Sequence, residues 1–189
     1  RSAFTAGHEY GHSMHSHFTR TTRPYTYANY TIFVAEVAST LNEALFAHHL
    51  LKTNSDPAVR KFILGRQIED FRATLFRQTM FAEFEKITHE MEEAGKTLTT
   101  DALCKVYVDL NRKYFGDNVN IDPLVAIEWA RIPHFYNSFY VYQYATGISA
   151  ATALARQILT EGAPAVERYL TFLKGGSSDF SINLLKGAG

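Results

Sequence analysis

Apolar residues recur along this chain at spacings of three and four, and no segment alternates with period two over a strand's length. The pattern predicts a mainly α-helical protein. Residues 2 to about 18 read as a first helix, in which Gly7 and Gly11 are small positions where another helix can approach. Residues 19 to 29 are polar and contain Pro24, which predicts a loop. Tyr30 to Leu51 is a strongly apolar second helix, and Ser55 or Asp56 caps a third that opens at Pro57. This third helix is expected to run unbroken to about Ala94, with Ile68, Phe71, Leu75, Phe84, Ile87 and Met91 as one apolar stripe and Gly95 as its stop. TLTTD caps a fourth helix to Phe115, and a turn-rich break follows over 116 to 123. A short helix is expected over 124 to 131. The aromatic stretch RIPHFYNSFYVYQYATG then leads into a helix ending near Thr160. Another begins at Pro164 and stops at Gly175 and Gly176, and Ser178 or Asp179 caps the last.

Composition narrows the function classes. The 189 residues fit one domain, and 19 basic against 19 acidic residues give no net charge, so no nucleic-acid partner is expected. No run of about 18 apolar residues predicts a membrane span. Cys104 is alone, which excludes an internal disulfide and fits a reducing, cytoplasmic compartment. The chain opens without Met or a signal peptide and reaches its most reactive stretch within a few residues, which reads as a fragment lacking its N-terminal part.

That stretch is TAGHEYGHSMHSH, and inside it sits HEYGH. On a helix, positions i and i+4 share a face, so His8 and His12 can point at one ion. Glu9 lies about 100° round the helix, near enough to take a proton from an attacking water without ligating the metal. The pattern fixes only three residues, and amphipathic helices match it by chance. Four of the eight histidines fall between positions 8 and 17, a density that a solvated face does not need. His15 and His17 are not expected to be ligands, since neither shares the face of His8 and His12 at the same level.

A catalytic zinc needs three protein ligands and an open position. The extended pattern H-E-x-x-H-x-x-G-x-x-H would put Gly at 15 and His at 18, but those positions are His15 and Phe18, so the third ligand is sought elsewhere. Between Arg23 and Lys52 only Glu36 and Glu43 are formally charged, two helical turns apart on nearly one face. A carboxylate buried without compensation is too costly to keep its charge. Either a salt bridge from another helix supplies the compensation or the two form a solvated stripe, or Glu36 binds the metal and Glu43 orients a ligand histidine.

HEYGHSMHSHFTR, then YTIFVAEVASTLNEAL, then IPHFYNSFYVYQYATGISAA resemble, in that order, the zinc oligopeptidases of the thimet oligopeptidase group, most closely the bacterial oligoendopeptidase F branch. The resemblance spans nearly the whole chain. It implies an all-α fold: a multi-helix zincin catalytic domain of the gluzincin type, here a single domain over 1–189 and the C-terminal part of a larger helical oligopeptidase. It further implies a deep channel whose opposite wall belongs to the missing N-terminal part, with short peptides as substrates. Carried over position by position, it implies one Zn2+ held by His8, His12 and Glu36, Glu9 as general base and Glu43 as a supporting carboxylate. The aromatic stretch corresponds to the family's substrate loop, where His134, Tyr136 and Tyr142 are the best matches. Tyr10 departs from the Leu or Phe more usual at its position. Phe135, Phe139, Tyr140 and Tyr144 are expected to pack. Two other classes compete, an aminopeptidase of the same zinc type and a non-catalytic helical module with a structural metal site. The latter would have no use for Glu9.

Overall fold

The computed structural model describes residues 2–189, with side chains from residue 3 onward. Its helices are α1 (Ser2–Thr22), α2 (Ile32–Thr53), α3 (Pro57–Phe71), α4 (Arg77–Glu93), α5 (Thr100–Phe115), α6 (Tyr142–Glu161), α7 (Ala163–Leu173) and α8 (Ser181–Ala188). Short 3-10 turns cover Tyr25–Tyr27, Pro123–Arg131 and Pro133–Tyr136, and no strand occurs among the described residues. The chain forms two compact units, one of Arg1–Phe71 with Thr146–Gly189 and one of Arg72–Ala145.

In the first unit the core is built on α2, whose Val34, Val37, Ala38 and Leu41 pack with Ala151, Leu154 and Ala155 of α6 and with Phe172 and Leu173 of α7. A helix this apolar is stable only when covered on several sides. Each Val, Leu or Phe side chain among them contributes roughly 1.5–3 kcal/mol on removal from water, an upper estimate because the unfolded chain is itself partly collapsed. Phe4, Ala47 and Ile63 form a smaller cluster that joins α1, α2 and α3. At Gly11 the axes of α1 and α2 come so close that a Cβ there would lie 2.5 Å from Ser39 Cα. Backbone cannot yield to such a clash, so the helix of the HEYGH motif is locked onto α2 at that point. Gly7, the other expected contact position, has open space around it. Its carbonyl instead accepts a 2.6 Å hydrogen bond from Asn42 Nδ2.

The second unit packs Met80, Phe81 and Phe84 of α4 against Tyr107 and Leu110 of α5, with Ile132 and Val141 closing the cluster. Its helix ends follow the sequence signals. Thr99 accepts from the Ala102 amide, Asp101 sits in the first turn of α5, and Arg112 and Lys113 sit in its last.

Two expectations change. The third helix is not continuous, because a π-turn over Arg72–Phe76 separates α3 from α4. Each π-turn adds a residue to the usual helical repeat and shifts the face that follows. The apolar stripe divides with it, leaving Ile68 71% and Phe71 36% exposed while Phe84 is buried. The first helix also continues to Thr22, because Thr21 and Thr22 turn their hydroxyls back onto the carbonyls of His17 and Phe18. The short helix expected over 124 to 131 is present, as a 3-10 helix over Pro123–Arg131 capped by Asp122 Oδ1 at 2.8 Å from the Leu124 amide.

Candidate metal centre

The close crossing at Gly11 brings the HEYGH face of α1 against the polar positions of α2. His8, His12 and Glu36 each offer one ligand atom, and the three lie within 4.8 Å of one another, the one such grouping among the described residues. His8 Nε2 is 3.2 Å from His12 Nε2 and 3.7 Å from Glu36 Oε2. A tetrahedral ion with nitrogen and oxygen ligands at about 2.0–2.1 Å separates its ligand atoms by roughly 3.3 Å, so the spacing fits.

Proton placement fits as well. His8 Nδ1 lies 2.7 Å from Glu43 Oε1, and a carboxylate there requires a donor, which puts the imidazole proton on Nδ1. The Nε2 lone pair then faces His12 and Glu36. The Glu43 hydrogen bond raises the His8 pKa above its ordinary 6.5, half-burial opposes that, and the charges of Glu43, Glu36 and Glu9 add to it. Surroundings that hold a proton on an imidazole also favour a metal cation in its place.

The carboxylates are themselves held. Glu36 Oε2 accepts from Ser39 Oγ at 3.2 Å, one turn on along α2. Gly147 of α6 leaves room for the Glu36 stem, since a Cβ there would lie 3.0 Å from Glu36 Cβ. Glu43 Oε2 accepts from Arg66 Nη2 of α3 at 3.3 Å. Arg66 was not foreseen. Its guanidinium also covers the Phe4 ring at 4.6 Å, and its Nε lies 3.5 Å from Asp70 Oδ2. The only sequence signal was its i, i+4 relation to Asp70, which says nothing about Glu43. So the salt bridge from another helix is present alongside the histidine bond, and the two readings of Glu43 do not compete.

Glu9 is exposed, and with His12, Ser13, Ser16, His17 and Arg20 it lines an open concavity along α1. His15 is fully buried and stacked on Tyr30, with ring centres 3.7 Å apart and planes 7° from parallel. Burial pushes its pKa down to about 4, so it is neutral at ordinary pH. His17 is exposed.

The aromatic residues of the stretch lie in the second unit, which ends at Ala145. His134 is exposed, stacks on Tyr140 at 5.8 Å between ring centres and meets Tyr144 edge-on at 6.1 Å. Tyr136 is 88% exposed, and Tyr142, which opens α6, is 41% exposed. Phe135 and Tyr140 pack against the second unit's core, as expected. Phe139 does not: it is 48% exposed and its backbone adopts φ 57°, because it occupies the third position of a turn closed by the Tyr140 amide on the Asn137 carbonyl at 3.1 Å.

Comparison with known proteins places these observations in a family. The description "Peptidase family M3" matches residues 1–189. Oligopeptidase PepF of Bacillus subtilis (strain 168) is 58% identical over 186 residues, covering 98% of this chain and 28% of that protein. The plasmid oligoendopeptidase F of Lactococcus lactis subsp. cremoris is 47% identical over 98% of this chain and 31% of its own length. The crystal structure of oligoendopeptidase-F from Enterococcus faecium superposes with a TM-score of 0.87 at 47% identity, over 100% of this chain and 34% of that one. The all-α architecture is thus shared with a solved oligoendopeptidase F. The chain spans less than a third of the length of these two curated relatives.

Proposed function

Because the chain belongs to peptidase family M3, we propose that it is the C-terminal catalytic part of a zinc-dependent oligoendopeptidase that hydrolyses short peptides. The observation that carries this reading is the donor cluster of His8, His12 and Glu36, with Glu43 fixing the proton on the far nitrogen of His8. In it, one Zn2+ is held by His8, His12 and Glu36, and when bound it supplies Lewis-acid activation of water and of the peptide carbonyl. Glu9 takes the proton of the attacking water and delivers it to the leaving amine. Its exposure beside His12, with the two imidazoles turned toward Glu36, supports a role in proton transfer over one in ligation. Glu43 and Arg66 keep the His8 ring in one tautomer and one orientation.

The same proposal gives His134, Tyr136 and Tyr142 contact with the substrate around the scissile bond, with the Tyr142 hydroxyl donating to the oxyanion. It also takes the whole chain as one catalytic domain completed by the rest of a longer protein. The single Cys104 supports a cytoplasmic setting. No helix among the described residues is long and apolar enough to cross a membrane.

The test is metal content together with hydrolysis of a fluorescence-quenched short peptide by the full-length protein. One zinc per chain and cleavage within the peptide are expected. Glu9→Gln is expected to keep the zinc and lose nearly all turnover. An active Glu9→Gln protein would remove the general-base role, and release of single N-terminal residues would point to an aminopeptidase.

A further inference from the structure

Glu85 of α4 is 3% exposed, far from any solvated position expected of a carboxylate in an amphipathic helix. Its Oε1 accepts the Phe139 amide proton at 2.9 Å, and its Oε2 is buried without a hydrogen-bond partner. Such a group is costly to bury, so a Glu left in this position performs something an apolar residue would not. Phe139 is the one non-glycine residue of positive φ among the described residues. Side chains with a Cβ, bulky ones above all, avoid that conformation, and the third position of such a turn normally falls to Gly or Asn. The turn is therefore strained, and the strain persists only because something holds it.

We propose that Glu85 is a positioning residue for the aromatic segment: by accepting the Phe139 N–H it holds the left-handed turn at Asn137–Tyr140, and so sets the course of the chain between Tyr136 and Tyr142. The turn is the only backbone link between those two tyrosines, with His134 directly before it in the 3-10 turn Pro133–Tyr136. Releasing Phe139 to negative φ would redirect the segment on both sides. His89, one turn beyond Glu85 on α4, lies against the Phe139 ring at 4.7 Å and so braces the side chain whose backbone Glu85 holds. Burial raises the pKa of Glu85, opposed by the Phe139 hydrogen bond and by His89. A carboxyl oxygen accepts this N–H in either protonation state, so the clamp requires an acceptor in that place and not a charge.

This inference rests on the reading of the aromatic segment as substrate-contacting, and two measurements on the full-length protein separate the two. The first is amide exchange, which needs no activity. The Phe139 amide is expected to exchange at least about tenfold more slowly than that of its exposed neighbour Ser138. Equal rates would overturn the clamp. The second is steady-state peptide cleavage by variants with zinc content and melting temperature as controls. Glu85→Leu, which removes the acceptor, is expected to lower kcat by about 10- to 100-fold, the range for a misplaced catalytic group. Glu85→Gln keeps a carbonyl oxygen in place and is expected within about threefold of wild type. Phe139→Gly, which adopts the left-handed turn without strain, is expected to restore much of the loss when added to Glu85→Leu. A Glu85→Leu enzyme with undiminished kcat, or a Gln variant as impaired as the Leu variant, would overturn the positioning role. An inactive wild-type protein whose Phe139 amide is protected would instead count against the function and leave the clamp standing.

Discussion

In the first unit, His8, Glu36 and Glu43 are less than a third exposed and each is tied to named partners on α1, α2 or α3. In the second unit, His134 and Tyr136 stand in solvent, the one held by ring contacts and the other 88% exposed. The first set is fixed by packing, since Gly11 and Gly147 let three helices close around it and every carboxylate there has a donor. The second is fixed by backbone, through a 3-10 turn and a strained turn that Glu85 grips from below. The difference follows from what each must do under the proposed function. Ligand atoms that are to share one cation must be assembled against their mutual repulsion beforehand, and only a packed interior does that. A segment that meets a passing peptide needs exposed groups on a fixed course, which backbone hydrogen bonds supply more cheaply than a core.

The comparison is broken most severely at Glu36. Glu36→Ala in the full-length protein removes a ligand atom that no neighbouring residue replaces, and nearly complete loss of bound zinc is expected. Glu43→Ala leaves the donor set intact and loosens only the His8 ring, so a decline of about 10- to 100-fold in affinity is expected. Metal analysis at fixed free zinc ranks the two. A zinc-free Glu43→Ala protein beside a loaded Glu36→Ala protein would reverse the two carboxylates.

Tyr142→Phe tests the other side. Deleting one phenolic hydroxyl removes none of the three candidate ligand atoms, so zinc content and melting temperature should not change. A donor that meets the oxyanion only as it forms stabilises the transition state more than the bound substrate, and the loss should fall on kcat and spare KM. One such donor is typically worth on the order of 10² to 10³ in rate. A kcat near wild type would return the role to His134 or Tyr136, and a lowered melting temperature would make Tyr142 a packing residue.

How far the sequence disclosed all this follows the same division. The HEYGH spacing and the two carboxylates isolated in an apolar helix pointed to one cluster because both signals are local: helical periodicity places them on faces before any tertiary contact exists. Arg66 was hidden because its partner is 23 residues away on another helix, and no short-range pattern reports a cross-helix bridge. The π-turn was hidden because the apolar residues on either side keep helical spacing; what changes is which of them find cover. Glu85 sits in an ordinary-looking run, FAEFEK, where burial on α4 and the positive φ of Phe139 arise only once the second unit packs. Tertiary context overrode the local pattern at each of these places.

The smallest expected effect separates the carboxylates of the two units by how they are solvated. Glu83, on α4, receives Lys113 and the Tyr114 hydroxyl, the latter at 2.8 Å, at the surface of the second unit. Lys113 above all, then Tyr114, hold its pKa below the ordinary 4.5 despite some desolvation. A carboxylate whose folded pKa is depressed adds stability that is fully present above its unfolded value and is lost as pH falls through the folded one. The contribution should therefore be complete at pH 7, start to fall near the ordinary carboxylate value, and be gone once the pH lies below the depressed folded one. Its size is modest, because Lys113 is 61% exposed and solvent screens the pair. A surface ion pair of this kind contributes about 0.2–1 kcal/mol. Glu83→Gln should consequently lower unfolding stability by that amount at pH 7 and low salt, with the gap to wild type narrowing in high salt and closing at acid pH. A gap that stayed constant down to pH 3 would mean that Glu83 acts through packing or a neutral hydrogen bond to Tyr114. The ion pair would then contribute nothing measurable to the second unit.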